Sequence, residues 1–192
     1  MTVHWRDAIG VVAAIVAASA LVPYVRSILA GRTKPNRASW WIWALIGCAI
    51  AASYKASGAS ATFWIALVYA AMSLTVALLS IRYGTGGASA LDLCCLAGCL
   101  LSLWLWWRLR SAPAALYLNI CMDALGMLPT LRKVWRDPRS EDRLAWSIAS
   151  LAAGMNLFAI DSPRPQVWLH PLHAFLGNGL IAALLFRQRR LA

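Results

Sequence analysis

Asp123 is the acidic residue that stands deep inside a long apolar run. A carboxyl group there is costly to keep, and intramembrane ionisable residues mark ion pathways, proton relays or ligand sites. Asn119 precedes it by four residues, so a helix would carry both on one face. Asn119 then either hydrogen-bonds Asp123 or shares a ligand with it. A second polar group follows later: His170, His173 and Asn178. The two histidines are three apart, and imidazole is the side chain that titrates near neutral pH. His170 is better placed for an interfacial role than His173. Asn178 lies between Gly177 and Gly179, where small residues allow close approach of a helix or ligand. Asn156 and Trp43 complete the candidate set. The competing reading for all of them is packing, with Asp123 bonded to a neighbouring carbonyl.

The elements that position these residues follow from composition. The chain has 192 residues, 61% hydrophobic and 13% charged. A soluble domain averages about 45–50% apolar and about 25% charged. A soluble fold of this size lacks the interior to hide that much apolar surface. Disorder is excluded for the opposite reason, because a disordered chain needs low hydrophobicity and high charge. Net charge +11 could suggest nucleic acid, but a nucleic-acid binder needs its basic residues on a broad water-facing surface. Seven apolar runs can be read, over 8–25, 39–54, 56–81, 93–107, 111–131, 144–160 and 165–186. Each is near the length that crosses a hydrocarbon core, about 17–25 residues. In lipid every backbone polar group must be satisfied within the segment, so each run is expected to be a helix. A β-barrel would alternate in segments of about ten residues. The small residues at 17–20 resemble a signal-peptide cleavage site, but the region around Pro23 belongs to a repeat.

Nothing points to an enzyme. There is no metalloprotease motif, no glycine-rich phosphate loop and no carboxylate pair at helical spacing. The cysteines at 48, 94, 95, 99 and 121 all lie within apolar runs and read as small apolar packing. No metal site or cofactor is expected. Asp137, Glu141 and Asp142 face Arg132, Lys133, Arg136, Arg139 and Arg143, most simply as a solvated ion-pair cluster. The stretch 84–87 reads as a turn.

Seven spans would put the two termini on opposite sides. Thirteen of the 18 basic residues then fall on the side of the C-terminus and five on the other. The positive-inside rule places the N-terminus outside and the C-terminus in the cytoplasm. The setting is an integral membrane protein of the bacterial plasma (inner) membrane, in contact with anionic lipid on its basic face. Trp40, Trp41, Trp104, Trp106, Trp107, Trp135, Trp146 and Trp168 fall near span ends, as interfacial anchors do.

The chain repeats internally. Pro23, Arg26, Arg37, Trp40 and Ile42 recur 106 residues later as Pro129, Arg132, Arg143, Trp146 and Ile148. The third run recurs at an offset of 104, with Trp64 matching Trp168. Spans one to three are thus expected to repeat as five to seven around a single fourth helix. Bundles over 8–83 and 111–188 would flank a linker helix over 84–110. This all-α, parallel 3+1+3 arrangement resembles the PQ-loop superfamily, which includes the SWEET sugar transporters and the KDEL receptors. Pro23 and Pro129 fall where the family carries its Pro-Gln pairs, followed here by Tyr24 and Thr130. Asn178 matches the asparagine of the SWEET sugar site in the last helix; its counterpart in the third helix is Leu74, beside Ser73.

The resemblance implies a small-solute transporter working by alternating access between the two triplets, with proton coupling through Asp123 as an option. Asp123, Asn119 and Asn178 would line its cavity, with His173, Trp43 and Asn156 as further candidates. Pro23 and Pro129 kink their helices and would serve as gating hinges. The alternative is a receptor or scaffold on the same fold, binding a peptide or lipid headgroup without moving it. A homodimer is compatible with either.

Overall fold

The computed structural model describes residues 5–56, 61–109, 112–160 and 165–187. Arg110, Arg164, Arg189 and Arg190, counted above in the charge asymmetry, lie outside the described residues. Among the described residues the regular elements are helical: α1 (Trp5–Ser19), α2 (Leu21–Leu29), α3 (Arg37–Ala56), α4 (Ala61–Tyr83), α5 (Ala90–Leu109), α6 (Ala112–Arg136), α7 (Arg143–Phe158) and α8 (Pro165–Phe186). Among the described residues three helical segments are long and apolar enough to cross a membrane: Ala8–Leu29, Ala90–Leu109 and Trp168–Phe186. They expose large side chains such as Val11, Ile15, Leu100 and Leu176, which a soluble helix would bury. The chain is an all-helical protein of membrane-spanning character.

The first apolar run is one membrane-length helical segment, Ala8–Leu29, with a local irregularity at Ala20, whose backbone stays in the right-handed helical region (φ −62°, ψ −24°). Pro23 has no N–H for the Ser19 carbonyl, and its ring crowds that carbonyl. One bond of the helical ladder is missing there. Ala20 N–H turns back to the Ala17 carbonyl (3.1 Å), and Tyr24 N–H resumes the helical pattern on Ala20 (3.3 Å). Pro129, by contrast, stays inside α6. Two of the short runs also start earlier than their apolar stretches, because polar caps extend them. Asn36 Oδ1 accepts from Ser39 N–H (3.1 Å) at the start of α3. At α5, Ser89 Oγ accepts from Asp92 N–H (3.2 Å), while Asp92 Oδ2 accepts from Ser89 N–H (3.1 Å). That reciprocal capping box brings Asp92 into the helix rather than leaving it at the boundary.

The chain forms two compact units, Met1–Thr33 with Val134–Ala192, and Lys34–Lys133. In the first unit α1 and α2 pack on α7, and α7 packs on α8. Gly154 lets the Phe175 ring come within 3.1 Å of where a Cβ would sit. The stretch before α7 differs from the expected solvated ion-pair cluster. Glu141 is 6% exposed; its Oε2 accepts from Tyr24 Oη (2.7 Å) and Trp146 Nε1 (3.0 Å). Tyr24 and Trp146 meet edge to face, 6.4 Å between centroids. Asp142 caps α7 by accepting from Ala145 N–H (2.8 Å), and Asp137 accepts from Arg139 N–H (3.0 Å). A buried carboxylate needs donors, and the nearby tyrosine and indole supply them. The Arg143 guanidinium lies 5.0 Å from the Phe186 ring centre.

In the second unit α3 and α4 pack closely. A Cβ at Gly47 would fall 2.9 Å from the Ala70 Cα, so only glycine permits this approach. Arg37 ties the start of α3 to the end of α4. Its Nε donates to the Ser80 carbonyl (3.0 Å), Nη2 to Ile81 (3.3 Å) and Nη1 to Gly86 (3.2 Å). The expected turn at 84–87 is present. Gly86 and Gly87 have φ of 71° and 99°, the left-handed region that glycine occupies without cost. Thr130 Oγ1 donates to Ser39 Oγ (2.8 Å), joining α6 to α3.

Candidate functional site

The second unit gathers polar groups from α3, α4 and α6. Asp123 and Asn119 are half-buried near the middle of α6, one turn apart on one face. Gly126 continues that face toward the C-terminus. With no side chain there, Trp43 of α3 lies directly on α6. A Cβ at Gly126 would meet Trp43 Nε1 at 2.8 Å and Ile42 Cγ2 at 3.1 Å. Trp43 is buried and stands edge to face with Trp40, 5.0 Å between centroids. From α4 come Tyr69, which is 41% exposed, and Ser73, one turn further along the same face. Ser73 is buried. The Tyr69 ring is held over Gly47, its Cδ1 3.2 Å from where a Cβ would sit.

One atom in this group lacks a partner. Asn119 Oδ1 is buried and accepts no hydrogen bond among the described residues. Buried polar atoms are nearly always satisfied, so an orphan needs a reason. A ligand that donates to it is one.

Three of the six candidates from the sequence, Trp43, Asn119 and Asp123, therefore fall in one cluster. The other three belong to the first unit. Asn156 is exposed near the end of α7. His173 is half-buried on α8. Asn178 is half-buried beside Gly179, whose missing Cβ would lie 3.2 Å from Ser150 Oγ of α7. His173 and Asn178 are five residues apart and so diverge around the helix. The hinge candidates also differ in setting, as Pro23 follows the irregularity at Ala20 and Pro129 lies within an unbroken α6.

Tyr69 and Ser73 of α4 were not among the sequence's candidates. Among the described residues no group of three metal-ligating side chains occurs. An open groove of about 410 Å³ lies beside Arg37, Trp41, Gly86, Gly87 and Leu96, but its one cation already serves three carbonyls. No protein-family model matches the chain, and comparisons with curated proteins and with solved structures also return no match.

Proposed function

We propose that the chain is a small-solute membrane transporter, a seven-span protein with a parallel 3+1+3 repeat, and that Asp123 is central to its cycle. The observation that carries this reading is the polar cluster around Asp123, which includes an unsatisfied buried acceptor, Asn119 Oδ1, on α6, a helix that the sequence leads one to expect in the membrane. Such groups are expensive in lipid and persist where they bind or relay something.

The repeat reading draws support from contacts at matching places. The caps Asn36 and Asp142 are 106 residues apart, and each holds the start of a triplet's second helix. Arg37 and Arg143, at the same offset, each engage the end of a triplet's third helix. Tyr24 and Thr130 follow the two prolines, and each donates its hydroxyl toward the start of a second helix. Each compact unit joins the first helix of one triplet to the second and third helices of the other. Two similar bodies of this kind suit alternating access. Basic-residue sidedness orients the chain with its C-terminus in the cytoplasm.

The test is flux in proteoliposomes across a panel of sugars, amino acids and organic ions, with and without a pH gradient. Asp123→Asn is expected to abolish the gradient-driven component while the protein remains folded. Unchanged gradient-driven flux in this variant removes Asp123 from the cycle.

A further inference from the structure

Two arginines, Arg143 and Arg187, flank the end of α8 with donors to spare. Arg143 holds the place in the second triplet that Arg37 holds in the first. Arg37 spends its guanidinium on the carbonyls of Ser80, Ile81 and Gly86. Arg143 meets instead the ring of Phe186, 5.0 Å from its centre. The Arg187 guanidinium lies 4.8 Å from the centre of the Trp135 ring, and its Nη2 donates to the Trp135 carbonyl (2.7 Å). Its Nε is buried and has no acceptor among the described residues. An aromatic ring attracts a cation but accepts little from its N–H groups, and a guanidinium has five of them. The acids before α7 are engaged elsewhere. Asp137 accepts from Arg139 N–H, Asp142 caps α7, and Glu141 takes the Tyr24 and Trp146 donors.

The surroundings say what kind of acceptor fits. α8 contains the membrane-length segment Trp168–Phe186, so Arg187 directly follows an apolar span. A cation in that position lies at the level of lipid headgroups. Trp135, Leu144 and Phe186 at the same end are large, apolar and exposed. A free phosphate would answer the charge and leave that apolar surface bare. A zwitterionic lipid covers the surface, but its own ammonium competes with the arginines for the phosphate. An anionic phospholipid answers both.

We infer that Arg143, Arg187, Trp135, Leu144 and Phe186 bind an anionic phospholipid at the end of α8. Its phosphate oxygens accept from the guanidiniums, and its acyl chains lie along the exposed apolar side chains. All five residues belong to the first unit, whereas the Asp123 cluster belongs to the second. The lipid site therefore does not depend on transport.

The experiment is native mass spectrometry of the full chain released from detergent. The chain is titrated with phosphatidylglycerol, with phosphatidylcholine of the same acyl chains, or with glycerol 1-phosphate. Phosphatidylglycerol is expected to fill one site about tenfold more tightly than phosphatidylcholine, and glycerol phosphate is not expected to displace it. Arg143→Gln combined with Arg187→Gln should remove the preference. Arg26→Gln combined with Arg32→Gln takes the same charge from exposed arginines of the same unit and should preserve it. Equal binding of the two lipids by the wild type overturns the inference. So does loss of the preference in the Arg26 and Arg32 pair, which would reduce it to diffuse attraction by a basic face. Both of these outcomes can be read even if the Arg143 and Arg187 pair fails to fold. A folded Arg143 and Arg187 pair that keeps the preference overturns the inference as well. Displacement of phosphatidylglycerol by equimolar glycerol phosphate also overturns it and makes a free phosphate the ligand.

Discussion

Glu141 shows how much a single side chain's role depends on what reaches it. On the sequence it is one of three acids among five bases, and solvation is the economical assignment. In the fold it is buried, and its Oε2 takes donors from Tyr24 and Trp146. Charge-assisted hydrogen bonds of this kind contribute about 1.5–3 kcal/mol, because a lost donor leaves a buried charge under-satisfied. Tyr24→Phe keeps the ring packed on Trp146 and removes only the hydroxyl. It should lower stability by about 1–3 kcal/mol, read from unfolding midpoints in detergent. A variant as stable as wild type would reduce Tyr24 to an apolar contact. Gly126→Ala is a second test at this scale. The added methyl would sit 2.8 Å from Trp43 Nε1, so the indole must move off α6. Stabilisation by a transported solute should fall about tenfold in apparent affinity, while Gly10→Ala, whose added Cβ would meet only the Ala159 Cβ at 3.9 Å, gives no such loss of affinity. Equal affinity in wild type and Gly126→Ala would detach Trp43 from the site.

Among the elements, the two proline helices repay comparison. Both prolines remove one N–H and crowd a carbonyl four residues back. Pro23 follows the irregularity at Ala20 between α1 and α2, whereas Pro129 lies within an unbroken α6. Pro23→Ala restores the missing donor to Ser19, and the joint at Ala20 should close into regular helix. Hydrogen exchange read by mass spectrometry over residues 16–26 should slow. Pro129→Ala should leave exchange along α6 less changed, since that helix already continues through the position. Faster exchange at the Ala20 joint in Pro23→Ala would assign the irregularity to packing rather than to the proline.

Over the whole molecule, the proposed seven spans and their charge asymmetry make a joint prediction. Tags on the two termini should differ in access on intact cells, the N-terminal one reached by external antibody and the C-terminal one only after permeabilisation. Equal access would contradict an odd number of spans. The grouping into units carries more information than the spans themselves. The residues of 8–83 and of 111–188 do not stay together. α1 and α2 join α7 and α8, and most of α6 joins α3, α4 and α5. An exchange of first helices suits a repeat protein, because equivalent helices offer equivalent surfaces to either set of partners.

Sequence alone determined the all-helical, membrane-type character, the pairing of Asn119 with Asp123 on one face, the turn at 84–87 and the positions of the prolines. These follow from local rules: run length, helical spacing and the backbone limits of glycine and proline. Tertiary structure decided which helices are neighbours, and with it the seating of Trp43 on Gly126 and the burial of Glu141. The physical reason is that an apolar helix presents hydrophobic side chains all round, so its periodicity does not say which face meets protein. Close approach is set instead by small residues such as Gly47, Gly126 and Gly179, whose partners lie far away in the chain.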